Sequence, residues 1–205
     1  MSKVIAFSGG CFSGKTTTMN EVKTYLEDAG YKVVVLGELI RTATNKPIDV
    51  IRKDPTAYLR LQENIIRSKI EQENKALKDY SNTVYLADRA ITDSLFYLQN
   101  YVDKSSLSDE DMVAYCKLHK EVIMHIDILS KANNFIVIEF SPLIGKSDDI
   151  FRPKHIEYSK EYEHDAISIL NNQFAAHSII KFNLNKYTVS DIFSIFKIML
   201  LHFPK

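Results

Sequence analysis

Gly9-Gly10-Cys11-Phe12-Ser13-Gly14-Lys15-Thr16 follows the apolar run at residues 4–7 and precedes a stretch of helical character reaching about Asp28. The spacing is G-x-x-x-x-G-K-[ST], and each position has a physical task. Glycines let backbone N–H groups turn inward toward an anion with no Cβ in the way. The helix that follows presents unpaired N–H groups and the positive end of its dipole to the same anion. Lys15 adds a mobile point charge, and the Thr16 hydroxyl suits a Mg²⁺ ion. Gly9, Gly10, Ser13, Gly14, Lys15, Thr16 and Thr17 are therefore the expected contacts of ATP, or another nucleoside triphosphate, with Mg²⁺. Cys11 reads as a small residue at a free position, although a thiol at a helix start can also be reactive.

Outward from this loop, short β-branched runs alternate with helical stretches, the pattern of a parallel α/β sheet. Gly30 stands at a helix C-cap, and residues 31–36 read as a buried strand. Asp54-Pro55 signals an N-cap and first helical position, opening a long helix to about Lys78. Strands are expected at 83–87, 135–140 and 178–182, with helices at 91–102, 108–131, 154–174 and 190–203. Ser108 with Asp111 resembles a capping box. Five strands alternating with helices imply a doubly wound parallel sheet covered on both faces, as a single domain over 1–205.

Composition narrows the function classes. The 205 residues are 45% hydrophobic, with Lys+Arg and Asp+Glu equal at 26 each, so no long-range field draws polyanions or membranes. Two cysteines without metal-ligand spacing point to a reducing compartment. The first five residues run straight into an apolar segment too short for a signal peptide, so a cytoplasmic location is expected.

Phosphoryl chemistry needs a carboxylate beside the metal and a base for the acceptor. In a doubly wound sheet such groups lie at the carboxyl ends of strands near the loop. Asp88 directly follows 83–87, Glu38 lies just past the second strand with Arg41 one turn on, and Glu139 lies near the end of the fourth, where its strand could also carry it outward. Arg89 and Asp93 cluster with Asp88.

The loop, Asp88-Arg89, and the trailing Asp93-Ser94-x-x-Tyr97 resemble the P-loop nucleoside and nucleotide kinase group: deoxynucleoside kinases, thymidylate kinases and ribosylnicotinamide-kinase-like proteins. Asp148-Asp149-Ile150-Phe151-Arg152-Pro153 resembles the lid segment of the last of these, and Glu38-x-x-Arg41 its Glu-x-x-Arg. The resemblance implies a P-loop NTPase fold of the kinase type, with a lid near 145–160. It implies an acceptor that is a nucleoside, a nucleotide or a related hydroxyl compound. Glu38 or Asp88 would be the base, Arg89 would hold a phosphate, and Arg152 would close from the lid onto the triphosphate. It also makes Gln62 resemble a base reader, with Glu38, Arg41, Arg89, Asp93 and Tyr97 completing the acceptor contacts.

The residues themselves leave alternatives open. Gln62 lies between apolar helix positions and reads equally as an ordinary polar residue. Phe96, Tyr97 and Tyr101 could stack a base, yet aromatics at helical spacing commonly form core. His119 reads as a hydrogen-bonded core histidine. The apolar cluster at 192–200 packs on the sheet or forms a homodimer contact. A polynucleotide acceptor, either a 5′-hydroxyl or a hydroxymethylated base as in DNA modification, would need a local basic track. Lys117, Lys120 and Lys131, or Lys154 and Lys160, could supply it. A nucleotide-switched interaction protein is the third reading, but Asn45-Lys46-Pro47-Ile48 lacks the final Asp of a guanine-reading motif.

Overall fold

β1 (Lys3–Gly9) is the centre of the fold, hydrogen-bonded in parallel to β3 (Thr83–Asp88) on one side and to β4 (Phe135–Phe140) on the other. The structure is a computed structural model that describes residues 2–9, 13–37, 39–140, 172, 179–182, 191 and 194, with backbone alone for Arg41 and 179–182. β2 (Lys32–Leu36) and β5 (Ile179–Phe182) complete a five-stranded sheet in the order β2-β3-β1-β4-β5, every pair parallel.

Side chains alternate across the pleat and build two cores. Val4, Ala6, Ala87, Phe135 and Val137 face α4 (Pro55–Leu77), α5 (Ile91–Tyr101) and α6 (Asp109–Ser130). Ile5, Phe7, Val84, Leu86, Ile138 and Phe140 face α1 (Lys15–Asp28), whose Met19, Val22 and Leu26 cover them. The sheet is therefore covered from both sides, as the alternating pattern implies.

Local chemistry sets the boundaries. α1 ends where Gly30 takes φ +86 and its N–H donates to the Glu27 carbonyl, while the Tyr31 N–H reaches Leu26. This is a Schellman closure, which favours glycine. Asp54 caps α4 by accepting from the Ala57 N–H at 3.0 Å. Ser108 caps α6 through the Asp111 N–H, but the Asp111 carboxylate turns across to Thr56 and Arg60 at 2.9 Å each, tying the starts of α4 and α6 together. At the opposite end of the sheet, Asp79 accepts from Ser81, Tyr85 and Ser2. These hydrogen bonds, Ser81 foremost, hold its carboxyl below the usual carboxylate range.

One expectation is corrected. The run at 31–36 forms a strand, but β2 is an edge strand bonded to β3, and its residues from Val33 onward are half-buried. An apolar run shows what the strand packs on, not whether a neighbour lies beyond it. The connector at Pro47 also holds two short helices, α2 (Ile40–Ala43) and α3 (Ile48–Ile51), too brief to leave a helical period. The helices expected at 154–174 and 190–203, and the lid at 145–160, lie outside the described residues apart from three isolated positions.

Candidate active site

The site lies where β1 and β3 end side by side. Their register sets Phe7 against Asp88, so the glycine loop leaves β1 beside the carboxylate that ends β3. The chain enters the loop through Gly9 at φ +145, in a gap with no space for a side chain. A Cβ there would stand 2.7 Å from the Phe140 carbonyl oxygen and 3.0 Å from Ser13 Oγ. Gly14 takes φ +83 and caps α1, whose first two residues are Lys15 and Thr16. Gly10, Cys11 and Phe12 lie outside the described residues.

Two polar contacts define the arrangement. The Thr16 hydroxyl donates to Asp88 Oδ2 at 3.3 Å. Lys15 is buried, and its Nζ donates to Ser13 Oγ at 3.3 Å, so its ammonium bends back over the loop. Thr16 and Thr17 are exposed at the start of α1.

The turn after β3 is locked from within. Arg89 takes φ +77, a conformation that disfavours a side chain and costs on the order of 1 kcal/mol or more. Its N–H donates to the Phe7 carbonyl at 3.1 Å, and its guanidinium reaches the Gly9 carbonyl at 3.5 Å. The same guanidinium lies 5.4 Å over the Tyr97 ring. Asp93 is fully buried and accepts from the Ala90 N–H at 2.7 Å and from the Gly9 N–H at 3.4 Å, with Arg89 3.6 Å away. The carboxylate expected among the acceptor contacts is thus turned inward, joining the loop entrance to the start of α5.

Beyond Tyr97, an aromatic wall continues along α5. Phe96, Tyr97 and Tyr101 meet with centroids 5.5 to 5.9 Å apart. Arg52 lies 4.1 Å over Tyr101 and 5.4 Å from the Tyr58 ring. Arg52 escapes a sequence reading because its partners sit on two other helices. Gln62, on the same helix as Tyr58, is 4% exposed.

Glu139 is buried on β4 opposite Ser8. His119 pairs with Gln99 at 2.8 Å, as a core histidine would, and burial followed by Lys104 lowers its pKa. His125 meets the fully buried Glu73 at 2.8 Å and escaped the sequence reading because its partner lies on α4. Glu38 and Arg152 lie outside the described residues, as does the Arg41 side chain. The structure therefore brings together Gly9, Ser13, Gly14, Lys15, Thr16, Asp88, Arg89, Asp93 and Tyr97.

A glycine-shaped loop opening a helix, with a carboxylate on the adjoining parallel strand, on this sheet order defines the fold of the P-loop nucleoside and nucleotide kinase group. Residues 4–136 match the family described as an AAA domain, and the chain belongs to that family. A search of curated sequences finds no match. Among solved structures the chain is similar to NadR protein in complex with NAD and AMP-PNP, with a TM-score of 0.66 and 14% identity. That match covers 100% of this chain and 51% of NadR, so the chain spans about half the length of that protein. It is also similar to deoxyadenosine kinase from M. mycoides with bound dCTP, with a TM-score of 0.62, 15% identity, and 96% and 98% of the two chains covered. Thymidylate kinase from Candida albicans follows, with a TM-score of 0.56, 14% identity, and 98% and 92% covered. Among the described residues, no helix is long and apolar enough to cross a membrane.

Proposed function

We propose that the chain is a phosphotransferase, moving the terminal phosphate of ATP or another Mg²⁺-bound nucleoside triphosphate onto a hydroxyl or phosphate of a nucleoside- or nucleotide-like acceptor. The observation that carries this reading is the approach of the Thr16 hydroxyl to Asp88 at 3.3 Å, beneath a loop whose first glycine admits no Cβ. The donor set fits the missing group. A hydroxyl and a carboxylate are hard oxygen ligands, and Mg²⁺ takes one or two of these while keeping waters and phosphate oxygens. Thr16 and Asp88 would hold it, and it would neutralise charge on the terminal phosphates.

In this reading the chain's own groups do the rest. Gly9, Gly10, Ser13, Gly14 and Thr17 cradle the phosphates with backbone and hydroxyl donors, and Lys15 swings from Ser13 to the terminal phosphates. Arg89, already set at the loop entrance, stabilises charge on the transferring group. Asp88 is occupied by Thr16, which favours Glu38 as the base that orients the acceptor. Leu36 is in register with Ala87, so the chain leaves β2 toward the same end of the sheet. Asp93 acts as a positioning residue, since its carboxylate is spent on Gly9, Ala90 and Arg89.

The acceptor wall would consist of Tyr97 and Tyr101 with Arg41, Arg52 and Gln62. The Gln62 amide, on a residue 4% exposed, suits a base edge. A lid near 145–160, closing Arg152 over the triphosphate and excluding water, completes a single kinase domain over 1–205. The deoxyadenosine kinase and thymidylate kinase folds support a nucleoside- or nucleotide-like acceptor.

The test is a transfer screen with γ-labelled ATP and GTP across nucleosides, nucleotides, 5′-hydroxyl oligonucleotides and hydroxymethylated DNA, with the product identified by mass. Lys15→Ala should abolish transfer without unfolding the chain. Absence of Mg²⁺-nucleotide binding by calorimetry would sink the proposal. Hydrolysis with no phosphorylated product in any acceptor arm would favour the nucleotide-switched reading instead.

A further inference from the structure

The aromatic wall on α5 already holds a cation at each end. Arg89 lies 5.4 Å over Tyr97, Tyr97 and Tyr101 are 5.9 Å apart, and Arg52 lies 4.1 Å over Tyr101. One guanidinium therefore stands at the phosphate loop, where it reaches the Gly9 carbonyl, and the other stands two rings away. A wall of tyrosines can serve a ligand ring in two ways. Its π-faces can cage a positive charge, or they can stack an uncharged ring. The arginines decide between the two.

Arg52 is held in place by three helices. Its N–H closes α3 on the Ile48 carbonyl at 2.9 Å, and Ile48 and Ile51 pack on the core beneath it. Its guanidinium lies 5.4 Å from the ring of Tyr58, a buried residue of α4, and 4.1 Å over Tyr101 of α5. The side chain is mostly buried, while Asp49, 4.0 Å away, is largely exposed and screens its charge weakly. At the other end of the wall, Arg89 is matched by the fully buried Asp93 at 3.6 Å. An arginine stays charged at any working pH and offers donors only. Arg52 is thus the charge that a ring stacked at Tyr101 meets first.

We infer that Arg52 is a specificity-determining residue: it admits nucleoside-like acceptors whose ring is uncharged and turns away those whose ring is cationic. The inference rests on Tyr97 and Tyr101 forming the acceptor wall, and it fixes the charge class of what they hold. A cationic ring stacked there would find the π-faces already engaged by Arg52 and Arg89, and would face a like charge besides. At about 8 Å, with the effective dielectric of a half-buried site, that repulsion is worth about thirtyfold in affinity. An uncharged ring of the same shape keeps its stacking and meets no repulsion.

Ribosylnicotinamide and its dihydro form are the probes, because they share size and ribose and differ by a hydride and the positive charge on the ring. Calorimetry on the full chain compares them, with and without a non-hydrolysable Mg²⁺-nucleotide. The wild type should bind the dihydro form about thirtyfold more tightly. Arg52→Met, similar in reach but uncharged, should bring the two within about threefold, chiefly by tightening the cationic form. Arg52→Lys should keep most of the preference, since it keeps the charge. A tighter grip on the cationic probe is a gain that a damaged fold does not give, and unfolding midpoints check each variant. Equal affinities in the wild type, binding of neither form, or a preference that survives Arg52→Met overturns the inference and leaves Arg52 a clamp between α3, α4 and α5. The nucleotide arm keeps the two readings apart: the phosphotransferase reading fails if the Mg²⁺-nucleotide does not bind, whatever the probes do.

Discussion

Replacing Gly9 with alanine separates the steric demand of the loop from the ordinary cost of losing a glycine. At Gly9 the added Cβ meets the Phe140 carbonyl oxygen at 2.7 Å, Ser13 Oγ at 3.0 Å and Phe140 Cβ at 3.1 Å, with φ at +145. The nearest of these is backbone of the hydrogen-bonded neighbour strand, which cannot rotate away. Overpacking costs roughly 1–3 kcal/mol and the backbone strain roughly as much again. At a middle value of about 4 kcal/mol, a chain of this size loses roughly 8–16 °C in Tm. Gly30 is the internal control, because φ is +86 but nothing lies within 4 Å of its Cβ position. Gly30→Ala should cost about 1 kcal/mol, or about 3 °C, from the left-handed backbone alone. The assay is thermal unfolding with and without a Mg²⁺-nucleotide, since a ligand at a hundred times its Kd stabilises by about 2.7 kcal/mol. Gly30→Ala should keep that ligand-induced rise, and Gly9→Ala should lose it. If the two variants melt alike and both keep the rise, the packing argument for the loop is wrong.

Four further outcomes follow from named contacts. Asp88→Asn should lower turnover far more than nucleotide affinity measured without Mg²⁺; unchanged turnover removes Asp88 from its role. Gln62→Leu, a swap of similar volume at a buried position, should change stability by less than about 1.5 kcal/mol, while the KM of a base-bearing acceptor rises. Glu73→Ala should cost roughly 3–5 kcal/mol by urea unfolding, since Lys69 at 3.6 Å loses its buried counter-charge and His125 loses its hydrogen-bond partner at 2.8 Å. A loss under about 1 kcal/mol, typical of surface pairs, would show that the cluster relaxes. Burial, then Lys104, lowers the His119 pKa, so below the ordinary value of 6.5 the unfolded chain binds the extra proton first. Stability should therefore fall as pH drops below 6.5 toward the folded value, and His119→Gln should flatten that slope in urea midpoints measured from pH 7.5 to about 5.

The phosphate loop, the caps at Asp54 and Ser108, the closure at Gly30 and most strand positions were legible in the residues, because each depends on neighbours a few positions away. Local sequence also placed Asp88 beside the loop, since a strand-ending acid needs only the parallel-sheet rule. Tertiary structure alone decided what long-range pairing sets. The order β2-β3-β1-β4-β5 makes β2 an edge strand despite its continuous apolar run. Packing set Asp93 against Gly9 and Arg89, and paired Glu73 with His125 across two helices. Arg52 found Tyr58 and Tyr101 only because α3, α4 and α5 converge. Periodicity says which face of an element is apolar. Which groups meet across the gap is settled only when the elements pack, because burial makes an unpaired charge too costly to leave alone.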